Sequence, residues 1–146
     1  MSDYVEGMLE GGLVYNALRT PDGTVLESIH RHDYQTHTDA NGKEYMIDGG
    51  LSYVRCSANG DEVMLTLTVN SNHNEVREKV QWGTYGKDGD QPLSYVRVLH
   101  MSDNHLRAVL DNVPTMHKGL RLVMENELLY RQIYSPVKPR DVGAPH

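Results

Sequence analysis

Turn signals recur along the first two thirds of this chain, and they constrain its fold more than any other feature. Each combines glycine with Asp, Asn or Pro, and they lie at 21–23 (Pro-Asp-Gly), 41–42 (Asn-Gly), 48–50 (Asp-Gly-Gly) and 59–60 (Asn-Gly). Asn-Gly and Asp-Gly supply the positive φ angles that tight hairpins need. Because β-prone segments flank these turns, we expect antiparallel strands in this part of the chain.

Several of the intervening segments have strand character. Residues 12–19 and 25–30 flank the first turn and are predicted to pair as a hairpin. Residues 51–56 and 93–99 also read as strands. The clearest alternation lies at 63–69, where apolar residues take every second position, and this pattern predicts one half-buried strand.

A short helix is predicted within the strand-rich region. Asn72 can accept a backbone hydrogen bond as its N-cap, and Glu75 follows three residues later. Val76 and Val80 give this helix a narrow apolar stripe, and Gly83 is expected to end it.

The character of the chain changes at Ser102, a favourable helix N-cap. Apolar residues then recur at the helical spacing i, i+3, i+4, i+7 up to Val113, and Pro114 ends the pattern. Thr115 is expected to cap a longer second helix. The predicted fold class is therefore α+β, with an antiparallel sheet and a short helix in the N-terminal two thirds and two C-terminal helices. We expect residues 1–134 to form one domain and the Pro-rich residues 135–146 to form an extended, mobile tail.

The second C-terminal helix carries more apolar width than packing on one sheet requires. Beside its main stripe, Leu122, Leu129 and Ile133 form a second one. This surplus predicts a partner chain, and a homodimer or higher homo-oligomer is the expected assembly. The alternative is that a sheet edge or the preceding helix covers both stripes.

Composition excludes several classes of protein. The formal net charge is −6, so the chain lacks the basic surface of a duplex nucleic-acid binder. The sequence shows no signal-peptide pattern and no long apolar segment, so we expect a soluble, cytoplasmic protein without membrane contact. The single cysteine, Cys56, cannot form an intramolecular disulfide and is expected to be a small buried residue.

Histidines concentrate in one segment, His30-Arg31-His32-Asp33-Tyr34. If this segment is a strand, His30 and His32 share a face and could ligate a metal, with Asp33 or His37 completing the set, as a metal-dependent phosphodiesterase would require. Alternatively, these residues bind loop backbone or lie in solvent. In a third interpretation Arg31 binds an anionic group, while histidine and Tyr34 stack or form hydrogen bonds.

Catalytic motifs are absent from the sequence. No Gly-x-Ser-x-Gly motif and no Walker motif occurs, and Cys56 lies inside a predicted strand. The carboxylates on the predicted helices are expected to be exposed to solvent. They are Glu75, Glu78, Glu125 and Glu127. We therefore expect a protein without catalytic activity, resident metal or cofactor.

Arginines and one aromatic side chain suggest a binding function instead. Arg97 interrupts a predicted strand, Arg55 shares a strand face with apolar residues, and Arg107 lies on a helix. Guanidinium groups bind phosphate through paired hydrogen bonds, and Trp82, the only tryptophan, offers a stacking surface for a base. A small nucleotide-like ligand fits this set. Binding of a host protein by the helical face is a further alternative.

Five segments in order resemble a family of small bacteriophage proteins. They are HRHDY at 30–34, YMIDGGLSYVR at 45–55, WGTYGKDGDQPL at 82–93, MSDNHLR at 101–107 and ENELLYR at 125–131. The chain resembles the first-described anti-Thoeris sponge family over residues 15–131.

This resemblance implies a function and a set of site residues. Members of that family are α+β oligomers that capture cyclic ADP-ribose isomers, made by a host TIR-domain enzyme, without cleaving them. Some members also bind cyclic oligonucleotides. By similarity, Arg55, Trp82, Gln91 and Arg107 would line the main pocket, and Arg31 would belong to a second one.

Overall fold

A computed structural model describes residues 12–86 and 88–134. Its strands are β1 Leu13–Tyr15, β2 Ala17–Arg19, β3 Val25–Glu27, β4 Gln35–Thr38, β5 Glu44–Asp48, β6 Arg55–Cys56, β7 Val63–Met64, β8 Leu67–Thr68, β9 Gln81–Thr84 and β10 Ser94–Arg97. Its helices are α1 His73–Lys79, α2 Asp103–Asn112 and α3 Lys118–Tyr134, with a 3-10 turn at Val98–His100. The α+β prediction with two C-terminal helices is confirmed. The predicted tail at 135–146 lies outside the described residues.

All strand pairs of the described sheets are antiparallel, and they form four small sheets. The sheets have the orders β3-β2-β7, β4-β5-β6, β1-β8 and β10-β9. The Pro-Asp-Gly turn joins β2 to β3, and the Asn-Gly turn joins β4 to β5, as their sequences predict. Gly23 and Gly42 adopt positive φ in these turns.

The predicted strand at 63–69 is wrong as one continuous element. The chain leaves one sheet and enters another between Met64 and Leu67, so β7 pairs with β2 whereas β8 pairs with β1. This change of sheet breaks the alternation of burial. Val63 and Met64 are exposed, and Leu67 is buried.

The short helix ends earlier than predicted. Val80, and not Gly83, is its C-cap, and the Val80 amide donates to the Val76 carbonyl. Gly83 lies in β9, where residues 81–84 pair with residues 94–97 of β10. The pairing with β10, the next strand along the chain, therefore decides the conformation of this segment.

The C-terminal helices are capped by side chains. Ser102 accepts a hydrogen bond from the His105 amide at the start of α2, as predicted. At the start of α3, His117 takes the role expected of Thr115, because its Nδ1 accepts from the amides of Gly119 and Leu120. Burial lowers the pKa of His117, which favours the neutral ring that accepts these bonds.

Two hydrophobic clusters hold the elements together. The larger one joins β1, β8 and the three helices, and its most enclosed members include Val76, Val80, Leu106 and Met124. The smaller one consists of Leu18, Leu26, Tyr45 and Ile47. No helix in the described part of the chain has both the length and the apolarity needed to span a bilayer.

Candidate ligand-binding cavity

A cavity of about 680 Å³ lies where the sheets meet α1. Ligand sites for small molecules typically enclose about 300–1,000 Å³. The lining residues come from β1, β2, β3, β7, β8, α1, β10 and the β7–β8 connection. They are Tyr15, Arg19, Val25, Glu27, Met64, Leu65, Thr66, Leu67, Glu75, Lys79 and Arg97.

Cationic groups line this cavity from three directions in the fold. Arg19 belongs to β2, Lys79 to the last turn of α1, and Arg97 to β10. Two carboxylates, Glu27 and Glu75, face three cations there, although the whole chain carries a net charge of −6. The local excess of positive charge makes the cavity suited to an anionic ligand.

Tyr15 and Glu27 form a hydrogen-bonded pair in the cavity wall. The buried Tyr15 hydroxyl donates to Glu27 Oε2 at 2.5 Å. Burial and the neighbouring carboxylate raise the pKa of Tyr15 far above its usual value, against a smaller opposing effect of Arg97. Tyr15 is therefore a neutral donor that holds Glu27 in place.

The cavity wall also contains an unsatisfied hydroxyl group. Thr66 Oγ1 is buried and has no hydrogen-bond partner among the described residues. Leaving a buried polar group without a partner costs about 1–3 kcal/mol. This oxygen has almost no accessible surface, so a ligand in the cavity would reach it only if the wall rearranged.

Of the charged cavity residues, only Arg97 is a binding candidate from the sequence alone. Arg97 was noticeable because a charge interrupts an apolar strand. Arg19, Glu27 and Lys79 follow ordinary surface patterns within their own elements. The turn at 21–23 predicts the pairing of β2 with β3, but the pairing of β2 with β7 and the position of α1, on which the convergence also depends, are encoded by no local pattern.

Arg55, predicted from the sequence as a site residue, lies in a different part of the fold. Its side chain is exposed, donates to Asp48 Oδ2 at 3.0 Å and lies over the Tyr34 ring at 5.7 Å from the ring centroid. Tyr34 also lines a smaller cavity of about 300 Å³. Arg55 and Tyr34 thus form a cation–aromatic surface that can accept an anionic or stacking group.

Trp82 and Gln91 both belong to the β9–β10 hairpin. Trp82 is half-buried, pairs with Val96 and packs against the larger hydrophobic cluster. Gln91 is exposed, and its backbone amide donates to the Tyr85 carbonyl at 2.8 Å. Part of the indole therefore remains accessible beside a polar turn.

Arg107 and Arg31 are exposed on α2 and on the β3–β4 loop. Within the described residues, no hydrogen bond or ring contact joins any two of Arg31, Arg55, Trp82, Gln91 and Arg107. None of these five residues lines the 680 Å³ cavity.

The histidine segment is a loop, so the strand geometry considered for a metal site is wrong. His32 has a left-handed φ of 63°, and its Nδ1 lies 2.8 Å from the Tyr53 hydroxyl. Asp33 is buried and accepts from the Ile29 amide and from Gln35 Nε2. Across the described residues, no group of three His, Cys, Asp or Glu side chains could hold a metal ion.

Glu127 corrects another prediction, because it is fully buried and not part of the solvated surface. Arg77 donates to both of its oxygens at 2.8 and 2.7 Å, Arg131 donates at 2.6 Å, and His73 Nε2 lies 2.9 Å away. Burial raises the pKa of Glu127, but these hydrogen bonds together outweigh it and lower the pKa. The buried carboxylate connects α1 to α3.

No protein-family model, no curated protein and no solved structure matches this chain.

Proposed function

We propose that this protein binds a small cyclic nucleotide and holds it without chemical change. The observation that carries the proposal is the 680 Å³ cavity with Arg19, Lys79 and Arg97 in its wall. Its volume suits a nucleotide, and three converging cations suit phosphate groups. The apolar side chains of Val25 and Met64 offer a surface for a base.

The cavity offers binding groups more readily than catalytic ones. Tyr15 is held neutral by burial and by its bond to Glu27, which opposes a role as nucleophile. Among the described residues that line the cavity there is no histidine and no cysteine. Capture without turnover is consistent with this set of side chains.

The resemblance to anti-Thoeris sponges gives this binding a biological setting as part of the same proposal. A bacteriophage protein that sequesters cyclic ADP-ribose isomers, and in some cases cyclic oligonucleotides, in the host cytoplasm would block anti-phage defence. By this resemblance the ligand would bind at Arg55, Trp82, Gln91 and Arg107, with Arg31 at a second site. Trp82 and Gln91 share the β9–β10 hairpin, whereas Arg55 lies on β6 and Arg107 on α2; as part of the proposal, a second copy of the protein completes this site.

Capture and cleavage can be distinguished in one experiment. The protein is incubated with cyclic ADP-ribose isomers, freed of unbound ligand by filtration and heat-denatured, and the released nucleotide is identified by mass spectrometry. We expect intact ligand in a fixed ratio to protein. Release of a linear product would instead support an enzyme, and no retention of any cyclic nucleotide would refute the proposal.

Two arginine variants locate the site. Arg97→Ala removes a cation from the cavity, and Arg107→Ala removes one from the site implied by resemblance. A charge-assisted hydrogen bond contributes about 1.5–3 kcal/mol, so the variant that lines the true site should weaken binding about 10- to 150-fold. We expect this loss for Arg97→Ala in calorimetric titrations. A loss confined to Arg107→Ala would move the site to the junction between copies.

A further inference from the structure

Glu27 places a negative charge in the wall of a cavity that is proposed to bind phosphate groups. A carboxylate repels an anionic ligand, and this one is half-buried and fixed by the Tyr15 hydroxyl. Its other oxygen, Oε1, receives no hydrogen bond from any described residue, and no cationic group of the described chain lies within ion-pair distance of Glu27. The carboxylate thus keeps an unused acceptor in a cavity wall.

Hydroxyl groups are the ligand groups that such an acceptor recognises. A carboxylate accepts hydrogen bonds from the vicinal hydroxyls of ribose, as acidic residues do in dinucleotide-binding folds. The 2′-hydroxyl is also the group by which proteins distinguish ribose from deoxyribose. Arg19 and Arg97 would bind the phosphate groups, and Glu27 would accept a hydrogen bond from a neutral hydroxyl of the ligand.

We infer that Glu27, oriented by Tyr15, recognises a ribose diol of the bound nucleotide and makes the cavity selective for ribonucleotides. This inference rests on the proposed function and specifies the chemistry of its ligand. Glu75 also lines the cavity, but it is exposed on α1 and has no buried hydroxyl to orient it. Glu78, exposed on the same helix and not among the residues that line the cavity, serves as the matched control.

The test compares two ligands whose affinities should change in opposite directions in Glu27→Gln. Cyclic ADP-ribose carries ribose diols, whereas inorganic pyrophosphate carries only the anionic groups. Glu27→Gln should weaken cyclic ADP-ribose binding about tenfold or more, because a charge-assisted bond is lost. The same variant should bind pyrophosphate more tightly than the wild type, because a repelling charge is removed. Glu78→Gln should retain the wild-type affinity for cyclic ADP-ribose.

A third probe tests the diol directly. Two analogues of cyclic ADP-ribose are compared, each lacking the hydroxyls of a different ribose. The wild type should bind one of these two analogues at least tenfold more weakly than cyclic ADP-ribose. In Glu27→Gln this difference in affinity should disappear. Equal binding of all analogues by the wild type would overturn the ribose assignment while leaving capture intact. A parallel loss of cyclic ADP-ribose and pyrophosphate binding in Glu27→Gln would show a structural role and would also overturn it. If neither cyclic ADP-ribose nor pyrophosphate binds the wild type, the proposed function itself is refuted.

Discussion

Glu127 shows how one buried side chain organises the helical part of this protein. Arg77 and Arg131 approach its carboxylate from α1 and α3, and Arg131 also reaches Asp103 of α2 at 2.7 Å. A buried carboxylate is tolerated only when it is paired and fully hydrogen-bonded. Every helix of the described chain therefore contributes to one charge network.

Replacing Glu127 by glutamine should destabilise the protein strongly. The change leaves two largely buried guanidinium groups without their counter-charge, and breaking a buried ion pair costs about 3–5 kcal/mol. Urea unfolding followed by circular dichroism measures the loss. Glu125→Gln on the exposed face of the same helix should change the free energy of unfolding by less than about 0.5 kcal/mol. Similar small effects of both substitutions would contradict the energetic role of the network.

The same residue predicts a pH dependence of stability. The pKa of Glu127 in the folded protein lies below its usual 4.5. A carboxylate with a lowered folded-state pKa contributes its full stabilisation above the unfolded value and loses it as the pH falls through the folded value. The difference in unfolding free energy between wild type and Glu127→Gln should therefore be constant above about pH 5 and shrink below it. A difference that stays constant to pH 3 would argue against this linkage.

At the scale of elements, the loop between β5 and β6 is fixed by close contacts with two other segments. Asn16, between β1 and β2, donates to the Gly50 carbonyl at 2.9 Å, and Ser28 accepts from the Gly50 amide at 2.8 Å. A Cβ on Gly50 would lie 2.4 Å from the His30 carbonyl oxygen. Glycine is needed here because of this approach as well as its φ of 54°.

Gly50→Ala should destabilise the fold more than a matched glycine substitution elsewhere. Gly60 also has positive φ, but a Cβ there would meet nothing within 4 Å. Left-handed strain alone costs about 1–3 kcal/mol, so Gly60→Ala should stay in that range and Gly50→Ala should exceed it. Thermal and urea unfolding of the two variants compare them. Equal losses of unfolding free energy in the two variants would mean that the loop moves to accommodate the Cβ at position 50 without a measurable energetic cost.

At the scale of the whole molecule, the second apolar stripe of α3 remains largely exposed in the described chain. Leu122, Leu129 and Ile133 are 41%, 54% and 62% exposed. The alternative that a sheet edge or α2 covers this stripe is therefore wrong for the described chain. A second copy of the protein is the partner that we propose for it.

Self-association through this stripe is testable by light scattering. Leu129→Glu places a charge at the centre of the exposed stripe, so it should lower the measured mass toward that of one chain. Gln132→Glu adds the same charge at the flank of the helix and should leave the mass nearer to that of the wild type. A wild-type mass of one chain would show that the stripe has another partner or none.

Local patterns in the sequence determined the hairpins at Gly23 and Gly42, the capped start of α2 and the exposed stripe of α3. Turn chemistry and helical periodicity depend on neighbouring residues only, so they can be read without a structure. The tertiary structure alone decided that residues 63–69 divide between two sheets, that Glu127 is buried, and that Arg19, Glu27, Lys79 and Arg97 line one cavity. The partners of these residues lie on elements distant in sequence, and only packing brings such elements together.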